Sequence, residues 1–260
     1  MFRNSLKKRL RNGEKVLGVF VTSVDAAVTE LAALAGFDFV VIDTEHGPLQ
    51  PMHVLDHVRA AEARNIAAVC RSTNTEATTI LRVLDVGSHG IQAPQVNSEE
   101  MAQQVVAAAT YYPMGKRGMA IPRALDFGMN DLMTAFQQSN EAMLVAVHCE
   151  TKESLDQIEE IAATPGIDVI FLGPFDLSQS LGIPGQVNHA LISGAADRIL
   201  AACKRYGKAA GIFAGDGTQA RRRMQQGFQY VTINMDLTLL GMKYREELQK
   251  ALHDEKGSIS

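Results

Sequence analysis

Eight short apolar runs, each followed by a stretch of helical periodicity, recur from end to end of this 260-residue chain. The runs fall at 16–21, 39–43, 66–71, 90–94, 144–150, 169–173, 209–214 and 230–234. Helical patterns occupy 25–35, 54–63, 76–86, 99–110, 155–163, 190–206, 218–226 and 237–252. Runs this short and rich in β-branched residues read as buried strands. Strands joined through helices rather than tight turns pair in parallel. Eight such units predict an α/β fold, a (β/α)8 TIM barrel in a single domain over 1–260. A helix at 1–15 would precede the first strand and the helix at 237–252 would follow the last. A doubly wound open sheet is the runner-up, but it usually needs fewer strands.

Composition removes several classes. Hydrophobic residues make up 46% of the chain and charged ones 21%, enough for a large core. The formal net charge of -4 gives no reason to expect a nucleic-acid partner. No apolar run approaches the roughly 18 residues of a membrane span. The basic start, Met1 to Gly13, has no apolar segment behind it, so a surface helix is expected there rather than a secretory signal. Cys70, Cys149 and Cys203 are odd in number and unpaired in spacing, which argues against a disulfide framework. Cys70 and Cys149 precede Arg71 and Glu150, so alternation turns them away from whatever those residues face. Buried thiols in a reducing, cytoplasmic setting are expected.

One irregular stretch, 111–130, carries Pro113, Gly115, Gly118, Pro122 and Gly128 together with Lys116, Arg117 and Arg123. A cover over the site, a subunit contact or a tolerated excursion would each explain it.

In a barrel of this kind the active site lies at the C-terminal ends of the strands. Those positions read Asp43, Glu45, His46, Arg71, Ser72, Gln92, His148, Glu150, Asp176, Asp216 and Asn234. Glu150 and Asp176 end successive apolar runs, where a carboxylate costs desolvation unless it is paired or bound to a cation. Two from neighbouring strands suit a divalent ion such as Mg2+ or Mn2+, with Co2+ also admissible. Asp176 could instead cap the turn that follows it.

His148 and Glu150, two apart, share a face; His148 could be a hydrogen-bonded core histidine. Arg71 could hold a substrate carboxylate or an oxyanion, or form a buried salt bridge to Asp43 or Glu45. His46 is the natural general base, imidazole being the side chain that titrates near neutrality. Alternation turns it away from Asp43 and Glu45, so the strand must end or bend there, as Gly47-Pro48 suggests. No lysine occupies an inward strand position suited to a Schiff base: Lys208 opens its strand at the wrong end and Lys152 lies beyond one. The glycines between 211 and 217 are a weak phosphate signal.

Taken together, the segments at 37–47, 84–91, 150–151 and 165–178, the last containing Gly173-Pro-Phe-Asp176, resemble the HpcH/HpaI aldolase family. The resemblance runs over nearly the whole chain and extends to 2-dehydro-3-deoxy-sugar-acid aldolases. It implies a class II, metal-dependent pyruvate aldolase, commonly hexameric with an exchanged C-terminal helix. Reversible cleavage of a 4-hydroxy-2-oxo acid would give pyruvate and an aldehyde through a pyruvate enolate. The resemblance makes Glu150 and Asp176 the metal ligands and His46 the base. Arg71 would stabilise the enolate, and Asp85, supplied in one arrangement by a neighbouring subunit, would raise the basicity of the histidine. The backbone from Gly173 through Pro174 and Phe175 to Asp176 would hold the pyruvate carboxylate. His148 stands where the family usually has a glutamine near the ligand, and Phe175 where a small residue is common. A siderophore-type citrate synthase, condensing acetyl-CoA with oxaloacetate, is the alternative. A 2-oxo-acid-binding protein without turnover is a third reading.

Overall fold

The computed structural model describes residues 6–253; residues 1–5 and 254–260, and with them the first part of the helix expected at 1–15, lie outside the described residues. Eight parallel strands close into a barrel: β1 (Val16–Val21), β2 (Phe39–Asp43), β3 (Ala67–Arg71), β4 (Gly90–Ala93), β5 (Leu144–Cys149), β6 (Val169–Leu172), β7 (Ala209–Ala214) and β8 (Tyr230–Met235). They neighbour one another in chain order, and β8 returns to β1 with a register irregularity between Gly18 and Phe20. Every strand expected from the sequence is present, with its ends moved by no more than one residue.

The helices in chain order begin with α1 (Leu6–Arg11), α2 (Ala27–Leu34), α3 (Pro51–Ala63), α4 (Ala77–Asp85), α5 (Glu99–Ala109) and α6 (Leu132–Ala142). They continue with α7 (Lys152–Asp156), α8 (Ile158–Ala163), α9 (Pro174–Ser180), α10 (Ala190–Tyr206), α11 (Gly217–Gln226) and α12 (Asp236–His253).

Strand alternation builds two cores. Outward residues such as Val40, Ile42, Cys70, Ile91, Val147 and Ile170 pack under the helices. Inward residues Val16, Phe20, Phe39, Val41, Val69, Leu144, Phe171 and Tyr230 fill the barrel. Size is balanced locally: a Cβ on Gly18 would sit 2.3 Å from the Phe39 ring, so glycine on β1 is what lets Phe39 lie flat across the interior. The three thiols are buried as expected, and burial pushes Cys70, Cys149 and Cys203 up to about 12, about 11 and about 12.

The structure corrects the sequence reading in four places. First, α1 is no surface helix. Leu6 and Leu10 join the barrel interior, and Lys7 reaches the Met143 carbonyl at 2.6 Å and Asp168 at 2.9 Å. It plugs the N-terminal opening, where the first inward residues would otherwise meet water. Second, α6 emerges after the irregular stretch, begun by Asp131, whose side chain accepts from the Thr134 N–H. Its polar Gln137-Gln138-Ser139-Asn140 run weakens the periodic signal. Third, a seven-residue helix not expected from the sequence, α9, opens at Pro174 directly after β6, since proline suits the first helical position. Fourth, the helix expected at 155–163 is two, α7 and α8, joined at Gln157.

The stretch 111–130 descends from α5 to the N-terminal face. Arg117 is buried there and donates to Asp85 at the end of α4 at 2.8 Å. Arg123 pairs with Glu62 at the end of α3. Tyr111 and Leu125 pack with Phe136 of α6. Fixed at the ends of α3 and α4, the stretch is remote from the strand C-termini and does not cover the site of its own chain.

Candidate active site

At the C-terminal face the strands end in a cavity of about 400 Å3, lined by His46, Arg71, His148, Glu150, Gly173, Pro174, Phe175 and Asp176, with Phe20, Phe171, Phe213 and Met235. Of the residues given roles by the resemblance, all line it except Asp85. Of the other polar residues read at the strand ends, Asp43, Glu45, Ser72, Gln92, Asp216 and Asn234 are not among the lining residues. The Asp85 side chain closes α4 and is held by Arg117, away from His46 of the same chain.

β2 ends at Asp43, and the next residues turn back on its carboxylate, which accepts from the N–H groups of Glu45 at 3.0 Å and His46 at 3.3 Å. This turn frees His46 from strand alternation and brings it to the cavity, as its position before Gly47-Pro48 required. Its side chain is 57% exposed, with Nε2 3.8 Å from Glu45.

Arg71 is inward on β3 and forms the buried pair that was one reading of it. Its fork donates to Asp43 through Nε at 2.9 Å and Nη2 at 2.6 Å, and Nη1 lies 3.2 Å from Glu45. The guanidinium also rests over Phe20, 4.8 Å from the ring centre. Burial lowers the Arg71 pKa, but Asp43 and Glu45 outweigh it, so the group stays charged. Burial raises Asp43, and Arg71 with the turn N–H groups brings it below the usual carboxylate value. Glu45 is raised, chiefly by burial and further by Glu150.

Glu150 is almost fully buried. One oxygen accepts from the Gln95 N–H at 2.8 Å and the other from His148 Nδ1 at 2.6 Å. A Cβ on residue 173 would lie 2.5 Å from that second oxygen, so glycine there is the condition for the carboxylate's position. Behind it runs a chain of bonds. The Tyr230 hydroxyl donates to Gln92 Oε1 at 3.0 Å, which turns the Gln92 amide N–H toward His148 Nε2 at 2.7 Å. That bond makes Nε2 the acceptor and leaves the imidazole proton on Nδ1, facing Glu150. Phe171 stacks on the ring at 4.8 Å. With both nitrogens engaged, His148 positions Glu150 and offers no free ligand nitrogen. Burial raises the Glu150 pKa, but His148, the Gln95 N–H and Arg71 together hold it below the usual value.

Asp176 is the counterpart. It lies in the first turn of α9, is exposed to the cavity and makes no hydrogen bond or ion pair with the described residues. The capping alternative is thereby removed, since α9 has no side-chain cap. Four carboxylates, Asp43, Glu45, Glu150 and Asp176, face one guanidinium, Arg71. The excess of negative charge and the unpaired Asp176 oxygens fit a hard divalent cation completed by water or substrate oxygens. Among the described residues no cluster of three or more His, Cys, Asp or Glu side chains has metal-binding geometry.

Sequence reasoning missed the Gln95 N–H, the Tyr230 hydroxyl and the aromatic wall. Gln95 sits at φ +49°, in the left-handed region, a backbone state that no local motif announced. Tyr230 and Phe213 were readable only as inward positions on their strands.

A closed parallel barrel whose polar residues converge at the strand C-termini defines a (β/α)8-barrel enzyme. Residues 16–241 match the HpcH/HpaI aldolase/citrate lyase family, and the chain belongs to it. A hydroxypyruvate/pyruvate aldolase from Sagittula stellata is 35% identical over 92% of this chain and 94% of its own. An HpcH/HpaI aldolase/citrate lyase family protein from Burkholderia cenocepacia superposes with a TM-score of 0.90 at 35% identity, covering 95% of this chain and 99% of that one. The citrate synthase SbnG superposes with a TM-score of 0.87 at 32% identity, covering 96% and 98%. The chain is thus a member of a family of enzymes that make and break carbon–carbon bonds.

Proposed function

We propose that this protein is a divalent-metal-dependent pyruvate aldolase, cleaving a 4-hydroxy-2-oxo acid to pyruvate and an aldehyde, reversibly. The observation that carries the reading is the unpaired Asp176 carboxylate beside buried Glu150 in one cavity with Arg71 and His46. The hydroxypyruvate/pyruvate aldolase relative supports it. Bound at Glu150 and Asp176, Mg2+ or Mn2+ would supply Lewis-acid polarisation of the 2-oxo acid. The first-turn N–H groups of Phe175 and Asp176, which have no intrahelical acceptor, receive the substrate carboxylate. Arg71, held rigid by Asp43, faces the oxygen on which negative charge develops. In cleavage His46, exposed to the cavity, takes the proton of the 4-hydroxyl and delivers it to the enolate carbon, which becomes the pyruvate methyl. In condensation the same proton moves from the methyl to the new hydroxyl oxygen. Asp85 of a second subunit would complete the base. The exposed Leu237, Leu240, Leu248 and Leu252 of α12 support helix exchange in a homo-oligomer, a hexamer by family resemblance. The three unpaired thiols suit a cytoplasmic setting, and no described helix is long and apolar enough to cross a membrane.

Proton exchange at the pyruvate methyl in D2O, followed by NMR after chelator stripping, tests the reading. Exchange should return with Mg2+ or Mn2+ and vanish in Glu150→Gln and Asp176→Asn while circular dichroism stays native. Metal-dependent exchange surviving in both variants would refute the assignment.

The likeness to a citrate synthase favours one second reading, condensation of acetyl-CoA with oxaloacetate. Among the described cavity residues Arg71 is the single lysine or arginine, and Asp43 and Glu45 already occupy it. A multiply anionic partner therefore finds poor charge matching here. Release of free CoA from that substrate pair, without pyruvate exchange, would select the second reading.

A further inference from the structure

An aldol reaction needs a second subsite beside the enolate, and the cavity wall states what suits it. Away from the strand-end polar groups the lining is Phe20, Phe213, Phe175 and Met235. The rings form a continuous series. Phe20 carries the Arg71 guanidinium on its face at 4.8 Å and meets Phe213 at 6.1 Å. Phe213 in turn meets Phe175 edge-on, 6.0 Å between centres. The series starts at the group that faces the developing enolate and ends at Phe175, 55% exposed at the mouth.

The fold fixes these rings separately. Phe20 and Phe213 are inward residues of β1 and β7, while Phe175 follows Pro174 in the first turn of α9. Edge-to-face contact of this kind stabilises a pair beyond its buried area, so the wall persists without ligand. A carboxylate or phosphate tail on the aldehyde would meet no uncommitted cation among the described lining residues. A polyhydroxylated tail would lose hydration against ring edges with no donor or acceptor in return.

We propose that the aldehyde subsite is an aromatic slot for uncharged apolar aldehydes, aryl or branched alkyl, with Phe175 and Phe213 setting the preference. This deepens the aldolase reading and rests on it for the reaction, though not for the binding chemistry.

Calorimetric titration of the Mg2+-loaded protein with 2-oxo-4-phenylbutanoate and with 2-oxoadipate tests the slot directly. The two acids share the 2-oxo acid head and a two-carbon spacer, beyond which one ends in a phenyl ring and the other in CH2–carboxylate. The phenyl acid should bind at least tenfold more tightly, the gain from removing about 60 Å2 of apolar surface from water. Phe175→Ala and Phe213→Ala should each bring the ratio to within about threefold; Phe175, half exposed, is the variant whose folding is least at risk. Equal affinities, tighter 2-oxoadipate, binding of neither acid, or an unchanged ratio in both variants would overturn the proposal. A phenyl preference in a protein that shows no pyruvate methyl exchange would uphold the slot and remove the aldolase reading.

Discussion

Glu150 owes its state to neighbours that are distant in sequence. Burial pushes its pKa up; two hydrogen bonds and a nearby guanidinium outweigh that and favour the charged carboxylate. Arg71 is similar, because a lone guanidinium in this position would be prohibitive and its bidentate partner Asp43 makes it tolerable. Asp43→Asn should therefore destabilise the protein by about 3–5 kcal/mol in urea titration, the cost of removing the bidentate partner of a buried charge. Away from the site, Glu62 gives a pH prediction. Burial raises its pKa, but hydrogen bonds from His89 and Arg123 outweigh this and bring it to about 2 from 4.5. The stabilisation is complete above the unfolded value of 4.5 and fades as pH falls toward 2. The urea midpoint of the wild type should exceed that of Glu62→Gln at pH 7, and the gap should narrow between pH 5 and pH 3. A gap independent of pH would show that the Glu62 charge contributes nothing.

At the scale of elements, α1 matters more than its six residues suggest. Leu6 and Leu10 complete the barrel interior, and Lys7 is matched by Asp168, which also accepts from the Val145 N–H at 3.0 Å. Leu10→Ala should cost about 2–5 kcal/mol, as for other buried leucines, read by chemical denaturation. A change under 0.5 kcal/mol would show that the helix is an appendage. The turn after β2 and the short α9 matter for the opposite reason. Neither adds much core, yet they bring His46 and Asp176 into one cavity.

For the whole molecule, the separation of Asp85 from His46 within one chain leads to a complementation test. His46→Ala and Asp85→Asn should each lose most pyruvate exchange. Refolded together from a mixture, they should recover a fraction of the wild-type rate, because some sites would combine an intact His46 with an intact Asp85 from the other copy. No recovery in a mixed oligomer verified by mass spectrometry would place Asp85 outside the base's reach. The exposed leucines of α12 predict a concentration-dependent assembly in sedimentation equilibrium. Leu248→Lys should shift it toward smaller species, since that side chain is 60% exposed in the isolated chain.

The sequence by itself determined the barrel, because periodicity is local: two-residue alternation and helical spacing mark strand, helix and inward face without reference to any partner. It also placed Glu150, Asp176, Arg71 and His46 at the strand ends, where position in the repeat implies position in space. Tertiary structure alone decided what those side chains do. Arg71 finds Asp43 28 residues away, His148 finds Gln92 at 56, and Gln92 finds Tyr230 at 138. Such pairings arise only when closure of the barrel brings separate strands to one end, and no local pattern records them. The same closure turned an expected surface helix into a plug, carried the 111–130 stretch to the far face, and gathered Phe20, Phe175 and Phe213 into one wall.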